Sequence, residues 1–361
     1  MTDTPAPAVR LRADVLAVPA YRQGATPTKP GYKLSSNENP FPPLPGVLEA
    51  IRDRGDINRY AAAAMPDLRA AIAAQFSVGS DHVHIGAGSA ALLYQLVQAA
   101  AGPGDGVLFA WPSFEAYPSL GLASGAENIP VPLNDRAEHD LDAMAAAVTE
   151  RTRVILLCSP NNPTGPSIRR DAFDRFMQLV PADTLVILDE AYREFVTDPE
   201  AVFGEHVLGL HPNLVVLRTF SKAYGLAGLR LGYAVGAPAI LAAAASVAVP
   251  LSVTGLAESA ALAALTSESQ KEQRARIAVL TERRDALAAG LRELGLDIPV
   301  PQGNFVWIPQ SARVDAASLA AVFAEEGTLV RPFPGAGVRI SVGEAESVPV
   351  VLEVVRGYLA S

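Results

Sequence analysis

The chain contains, at positions 214–230, the sequence Leu214-Val215-Val216-Leu217-Arg218-Thr219-Phe220-Ser221-Lys222-Ala223-Tyr224-Gly225-Leu226-Ala227-Gly228-Leu229-Arg230. Its first four residues are apolar, which predicts a buried strand. Lys222 follows this strand among hydroxyl groups and glycines, where packing does not explain a lysine. The small residues would let the backbone approach a ligand closely, and Thr219, Ser221 and Arg230 offer groups that can hold a phosphate.

A lysine beside a phosphate anchor suggests one particular cofactor. Pyridoxal phosphate carries both an aldehyde and a phosphate, so Lys222 would form a Schiff base with the aldehyde. The alternative is a solvated lysine in a glycine-rich loop, which is the commoner situation for a single loop lysine. The rest of the chain has to decide between the two.

The composition limits the classes of function. The 361 residues are half hydrophobic and 19% charged, which is typical of a soluble globular protein of about two domains. A formal charge of −9 argues against a nucleic-acid partner or an anionic membrane surface. The longest apolar run, residues 240–251, is too short to span a bilayer, and residues 1–7 lack the features of a secretory signal. A single cysteine, Cys158, predicts a cytoplasmic protein, and the five histidines show no metal-ligand spacing, so no metal site is predicted.

Strand and helix patterns alternate through the first two thirds of the chain. Such alternation predicts an α/β fold with a mainly parallel sheet covered by helices on both faces. Strands are predicted near residues 82–85, 106–110, 127–131, 153–158, 184–188 and 214–218. Helices are predicted near residues 46–54, 66–76, 90–101, 114–123, 140–148 and 169–180.

Three segments are expected to organise the chain. Residues 1–45 are rich in proline and predict an N-terminal arm, and residues 46–250 form the large domain. Residues 251–361 predict a smaller α+β domain, which begins with a long helical region at 255–294. It continues with strands near 305–308, 329–331 and 338–341 and with helices near 315–326 and 344–359.

Four loops at the carboxyl ends of predicted strands carry unusual residues, and ligands of open parallel sheets bind at that edge. Gly86-Ala87-Gly88-Ser89 would expose N–H groups at a helix start, which suits a phosphate. In Trp111-Pro112-Ser113-Phe114-Glu115-Ala116-Tyr117, Phe114 offers a face for a planar ring. In Ser159-Pro160-Asn161-Asn162-Pro163-Thr164-Gly165, Asn162 offers an amide.

The fourth loop, Asp189-Glu190-Ala191-Tyr192, places a carboxylate at the end of an apolar strand. A carboxylate there has to be satisfied by a partner, and a protonated pyridine nitrogen would pair with Asp189. Each loop has a plain structural alternative: a tight turn, a core aromatic residue, a proline turn or a cap. The shared location of the four loops favours a cofactor site.

Together these residues resemble the fold-type-I, class I and II aminotransferases, and more closely the histidinol-phosphate aminotransferase family. The resemblance runs from Ser35-Ser36-Asn37-Glu38-Asn39-Pro40 to Arg339-Ile340-Ser341-Val342-Gly343, nearly the whole chain. It implies a seven-stranded, mainly parallel sheet in a large domain that binds pyridoxal phosphate. The arm would join the small domain.

The resemblance also implies roles for single residues. Lys222 would be the Schiff-base lysine and Asp189 the partner of the pyridine nitrogen. Tyr192 and Asn162 would hydrogen-bond the ring O3′, and Phe114 would stack on the ring. The phosphate ligands that it implies are Gly88, Ser89, Thr219, Ser221 and Arg230.

Five further residues follow from the same resemblance or from their place near the site. Tyr60 is similar to a tyrosine that reaches the cofactor phosphate of a neighbouring subunit, which implies a homodimer with shared sites. Arg339 matches the arginine that binds the substrate α-carboxylate. Tyr21, Asn37 and Arg331 are candidates for contact with the substrate side chain.

Departures from the histidinol-phosphate pattern bear on the substrate. The family commonly has Gly-Ser-Asp-Glu at the first loop, where this chain has Gly88-Ser89-Ala90-Ala91, and tyrosine where it has Phe114. The segments Gly86–Ala91 and Trp111–Tyr117 look like those of actinobacterial aromatic-amino-acid (phenylalanine) aminotransferases. Fewer polar groups also suit an apolar aromatic side chain. An aromatic amino acid is therefore favoured, and histidinol phosphate stays the alternative.

The predicted reaction is a ping-pong transamination between an aromatic L-amino acid (phenylalanine, tyrosine or tryptophan) and 2-oxoglutarate. Lys222, freed by the substrate amine, would act as the base at Cα, which requires a lowered pKa. Two other classes remain open at this stage. Gly86–Ala91 superficially resembles a dinucleotide fingerprint, which would indicate a nicotinamide-dependent oxidoreductase. The other class is a non-catalytic protein that binds pyridoxal phosphate.

Overall fold

A computed structural model describes residues 9–18, 29–62 and 64–361. Its strands are β1 Val83–Gly86, β2 Gly106–Trp111, β3 Glu127–Pro132, β4 Thr152–Cys158, β5 Leu185–Asp189, β6 Leu214–Thr219, β7 Gly232–Val235, β8 Phe305–Pro309, β9 Arg331–Phe333 and β10 Gly337–Ser341. Its α-helices are α1 Ala13–Leu16, α2 Val47–Arg52, α3 Pro66–Phe76, α4 Ser89–Ala100, α5 Tyr117–Ser124, α6 Leu141–Ala146, α7 Arg170–Leu179, α8 Gly204–Val207, α9 Pro238–Ser246, α10 Gly255–Ala264, α11 Ser267–Glu293, α12 Ala316–Glu325 and α13 Ser347–Ala360.

The larger sheet has seven strands in the order β1-β7-β6-β5-β4-β2-β3. The strands from β6 to β3 run parallel to one another, whereas β7 is antiparallel to both of its neighbours. The carboxyl ends of β2, β4, β5 and β6 therefore meet at one edge. The predicted α/β class and the mainly parallel sheet are confirmed.

Strand β4 shows why this sheet is covered on both faces. Its residues alternate between two apolar clusters: Val154, Leu156 and Cys158 pack with α4, α5 and α9, while Ile155 and Leu157 pack with α6 and α7. Residues 154–158 of this strand are all apolar and need such cover, because neither face can be left to water. The central strands are thus rigid supports for the loops that follow them.

The smaller sheet has the order β8-β10-β9 and is antiparallel throughout. One face, with Val306, Ile308, Val338 and Ile340, packs on α11, α12 and α13. The period of two along a strand turns Arg339 and Trp307 to the opposite face. This opposite face carries the residues of the smaller sheet that belong to the site described below.

The N-terminal segment joins the smaller sheet. Lys33 forms a parallel bridge with Leu329, and Leu34 lies in the cluster under that sheet. Helix α10, which lies beyond the predicted boundary at 250/251, packs with α3 and with Phe220 in a cluster beside the larger sheet. The three-part division of the chain stays a prediction. No helix among the described residues is long and apolar enough to cross a membrane.

Three local predictions differ from the structure. The helical region at 255–294 is two helices, because Thr266 caps α11 through its side chain, which accepts a hydrogen bond from the Ser269 N–H. The strand predicted at 329–331 instead begins at Arg331. Strand β7, Gly232–Val235, is not predicted by the pattern of its own residues, although the resemblance implies a seventh strand.

Candidate active site

Lys222 lies three residues beyond the end of β6, in a turn closed by Gly225. Its Nζ donates to the carbonyl oxygens of Ser36, at 3.2 Å, and Asn37, at 3.3 Å. Burial, and after it the positive charge of Arg339, lowers the pKa of this amine to about 7. A large fraction of the amine is therefore neutral near pH 7, as a nucleophile or base requires.

Asp189 is the last residue of β5, and its side chain is buried. Its Oδ2 accepts from the Tyr117 hydroxyl at 3.1 Å, and its Oδ1 accepts from the Ala191 N–H at 3.2 Å. Burial raises the pKa of this carboxyl to about 6. A buried carboxylate of this kind is best satisfied by a cation, because two neutral donors do not replace its hydration.

An anion-binding arrangement lies between the start of α4 and the turn after β6. Gly88 has a φ of 86° and precedes α4, whose first N–H groups have no partner within the helix. A Cβ on Gly88 would lie 2.5 Å from Arg230 Nη2, and side chains with a Cβ rarely adopt this positive φ, so glycine is favoured there. Arg230 Nη1 donates to Ser221 Oγ at 3.3 Å, and the Ser221 N–H donates to Thr219 Oγ1 at 3.0 Å. A helix start, a hydroxyl and a guanidinium together suit a phosphate.

A buried polar network connects the N-terminal segment to both sheets. Asn37 has a φ of 52°, and its Nδ2 donates to the Tyr192 hydroxyl at 2.9 Å. The Ser341 hydroxyl donates to Asn37 Oδ1 at 2.7 Å. Arg339 donates to Asn162 Oδ1 at 2.5 Å and to the carbonyl of Ser35 at 2.6 Å. Tyr192, Asn162, Asn37 and Arg339 are thus brought together, as their joint assignment to one site predicts.

Three other predicted residues occupy different surroundings. Phe114 is half-buried, and its ring is edge-on to that of Tyr117 at a centroid distance of 5.7 Å. It therefore lies beside the tyrosine that donates to Asp189. Tyr60 is 81% exposed on the loop between α2 and α3. Arg331 is ion-paired with Glu115. Tyr21 lies outside the described residues.

Sequence reasoning missed one contact of Asp189 and a buried ion pair that begins at the next residue, Glu190. Tyr117 was within a quoted segment, but only the fold shows that its hydroxyl reaches Asp189. Glu190 and Arg218 form a buried ion pair, with Arg218 Nε and Nη2 at 2.9 and 2.8 Å from Glu190 Oε2. In the sequence, this pair is visible only as one charged residue at the end of each of two apolar strands. The pairing can be recognised only when these two strands are known to be neighbours in the sheet.

The residues of the site match the functional groups of pyridoxal phosphate. Lys222 supplies an amine of lowered pKa, Asp189 a buried carboxylate, and the start of α4 with Arg230 an anion site. The described residues contain no group of three or more His, Cys, Asp or Glu side chains placed to hold a metal ion. The arrangement suits an organic cofactor that carries an aldehyde, a basic ring nitrogen and a phosphate.

Comparison with known proteins decides the family. The family model for aminotransferases of class I and II matches residues 29–355. The chain belongs to this family. The aminotransferase predicted from the sequence is thus confirmed, as is pyridoxal phosphate as its cofactor, and amino acids and oxo acids are its substrates. The nicotinamide-dependent alternative is excluded with it.

The proteins similar to this aminotransferase include aromatic amino acid, histidinol-phosphate and aspartate aminotransferases. The aromatic amino acid aminotransferase of Streptomyces avermitilis is 47% identical over 97% of each chain, and that of Thermobifida fusca is 45% identical over 96% of this chain and 97% of the other. The structure of histidinol-phosphate aminotransferase from Sinorhizobium meliloti, in complex with pyridoxal-5′-phosphate, aligns with a TM-score of 0.86 at 26% identity over 98% of each chain.

Proposed function

We propose that this aminotransferase exchanges the amino group between an aromatic L-amino acid and 2-oxoglutarate by a ping-pong mechanism. The observation that carries transamination is the buried Lys222 amine with a pKa of about 7, facing the same edge of the sheet as the buried carboxylate of Asp189. The proposal of an aromatic substrate is supported by relatives of 45–47% identity that are named aromatic amino acid aminotransferases. A cytoplasmic location remains a prediction.

Pyridoxal phosphate, when bound, supplies the aldehyde that receives the amino group and the ring that stabilises negative charge at the substrate Cα. Lys222 would attach to it covalently and, once free, take the proton from Cα at Nζ. Asp189 would pair with the ring nitrogen, while Tyr192 and Asn162 would hydrogen-bond the ring oxygen. Phe114 would stack on the ring.

The remaining residues would bind the phosphate of the cofactor and the α-carboxylate of the substrate. Ser89, Ser221, Thr219, Arg230 and the N–H groups after Gly88 would bind the cofactor phosphate. Arg339 would bind the substrate α-carboxylate with both guanidinium nitrogens, which here donate to Asn162 Oδ1 and the carbonyl of Ser35. A carboxylate arriving at Arg339 offers charged acceptors in place of neutral ones, so binding is favoured.

A half-reaction panel tests the substrate. The holoenzyme is mixed separately with phenylalanine, tyrosine, tryptophan, histidinol phosphate and glutamate, and the loss of the cofactor's aldehyde absorbance is followed. We expect the second-order rate constant of the half-reaction to be at least about tenfold higher for at least one aromatic amino acid than for histidinol phosphate. The shape and polarity of a binding pocket discriminate between substrates by about this factor. Conversion by histidinol phosphate far ahead of every aromatic donor would establish the alternative function.

The second part of the proposal is a homodimer in which Tyr60 completes the neighbouring site. Tyr60 and Ile57 share a loop and are 81% and 77% exposed, an unusual exposure for large apolar side chains. In a dimer of one Y60F chain and one K222A chain, one of the two sites would then combine an intact Lys222 with an intact Tyr60. We expect this mixed dimer to recover about a quarter to a half of wild-type turnover if each parent is defective. No recovery, or a monomer in sedimentation experiments, would contradict the shared site.

A further inference from the structure

Glu115 and Arg331 form a two-point ion pair between the two sheets. Arg331 Nη2 lies 2.7 Å from Glu115 Oε1, and Arg331 Nε lies 3.0 Å from Glu115 Oε2. Their side chains are only 18% and 26% exposed, so water screens the pair weakly. Glu115 belongs to the loop after β2, and Arg331 begins β9. The pair therefore fixes the guanidinium of one sheet to the loop of the other.

The strand register places this pair beside Arg339, the proposed ligand of the substrate α-carboxylate. Arg331 on β9 is directly opposite Arg339 on β10, so both side chains project from the same face of the smaller sheet. Phe333 on β9 projects from this face too, and its ring lies 5.9 Å from the Arg339 guanidinium carbon. On the other side, Glu115 directly follows Phe114. If Arg339 holds the α-carboxylate, the neighbouring Arg331 lies where a substrate side chain would extend.

We propose that Glu115 determines the charge of the side chain that this aminotransferase accepts. This inference rests on the proposed function, because it takes Arg339 as the α-carboxylate ligand. Glu115 neutralises Arg331 and occupies its planar donor edge, which is the edge that would bind a phosphate or carboxylate of a substrate. An anionic side chain must displace Glu115 and then lie beside its negative charge, whereas an uncharged aromatic side chain leaves the pair intact. The discrimination comes from repulsion of the wrong ligand.

The same pair affects the second half-reaction. 2-Oxoglutarate carries a carboxylate at the position of a side chain, so it has to compete with Glu115 for Arg331. Removal of the Glu115 charge should therefore lower the KM for 2-oxoglutarate while the KM for phenylalanine changes little. A pair that only stabilised the fold would not separate the two substrates.

The test compares the holoenzyme with its E115Q variant in half-reactions with phenylalanine, glutamate and histidinol phosphate. For E115Q we expect the second-order rate constants with the two anionic donors to rise about 10- to 100-fold relative to that with phenylalanine. A hydrogen bond to a charged group contributes a factor of about this size to binding. The matched control is E127Q. Glu127 forms an exposed ion pair with Arg151, so this variant makes the same charge change on the surface. An anionic-to-aromatic ratio in E115Q equal to that of the wild type or E127Q would overturn the proposal.

A second variant keeps the proposal testable if E115Q folds poorly. In R331Q, Glu115 is left without its guanidinium partner, so we expect the ratio of anionic to aromatic donors to fall about tenfold or more. Opposite shifts of the ratio in E115Q and R331Q support the proposal, and an equal loss of all donors in both variants contradicts it. The wild-type panel is judged separately. Failure of the wild type to accept aromatic donors would contradict the proposed function, whereas an unchanged ratio in the variants would contradict only the role of Glu115.

Discussion

Replacing Lys222 with alanine is expected to reduce transamination by at least about a thousandfold, because proton transfer by a positioned base contributes 10²–10⁴-fold and the covalent link is lost as well. The chain should still fold. Lys222 Nζ donates to the main-chain oxygens of Ser36 and Asn37, and burial disfavours its charged form, so alanine removes a group that costs free energy to bury. Half-reactions with phenylalanine, followed by cofactor absorbance, measure the loss.

A matched control is K271A, since Lys271 is an exposed lysine on α11 and should leave turnover unchanged. Borohydride treatment of the holoenzyme followed by peptide mass spectrometry should place the cofactor on Lys222 in the wild type and in K271A. In the cofactor-free protein, capture of pyridoxal phosphate should accelerate as pH rises through about 7 and then level off, because the neutral amine reacts. Near-normal turnover of K222A would refute the assignment.

The sequence located the residues at the sheet edge because strand ends are local features. Apolar runs of four or five residues predict buried strands, and a polar residue at the end of such a run stands out. The strand rule then places Asp189, Asn162 and Lys222 at one edge without any knowledge of strand order. This is why the predicted cofactor residues come together in the structure, although their roles remain proposals.

The contacts that sequence reasoning missed depend on register. The pairing of Asp189 with Leu217 between β5 and β6 brings the next residues, Glu190 and Arg218, into contact. A shift of one residue would have separated them, and no local pattern specifies that shift. The ion pair of Glu115 and Arg331 depends in addition on how the smaller sheet packs against the larger one. Arg331 was predicted near the substrate side chain, but its carboxylate partner is 216 positions away in the chain.

Asp189 is the second residue whose replacement should nearly abolish activity. The D189N side chain has the same shape, and its oxygen can still accept from the Tyr117 hydroxyl, which now lies 3.1 Å from Oδ2. It cannot carry the negative charge that would keep the ring nitrogen protonated. Loss of one partner of a buried ion pair costs about 3–5 kcal/mol, so we expect turnover to fall at least about a hundredfold and the cofactor to bind more weakly. Half-reaction rates and cofactor titration measure the two effects.

Two further measurements separate this role from a structural one. Y117F removes a single donor to Asp189 and should cost about tenfold or less. In the cofactor-free protein, burial raises the pKa of Asp189 from 3.8 to about 6, so its contribution to folding stability is present below pH 4 and is lost as pH rises through about 6. D189N lacks this titration and should be at least as stable as the wild type at pH 7. A D189N protein that is stable, saturated with cofactor and fully active would show that the carboxylate does not pair with the ring. A stable D189N protein that binds the cofactor weakly and turns over slowly is the result that the buried position of Asp189 leads us to expect.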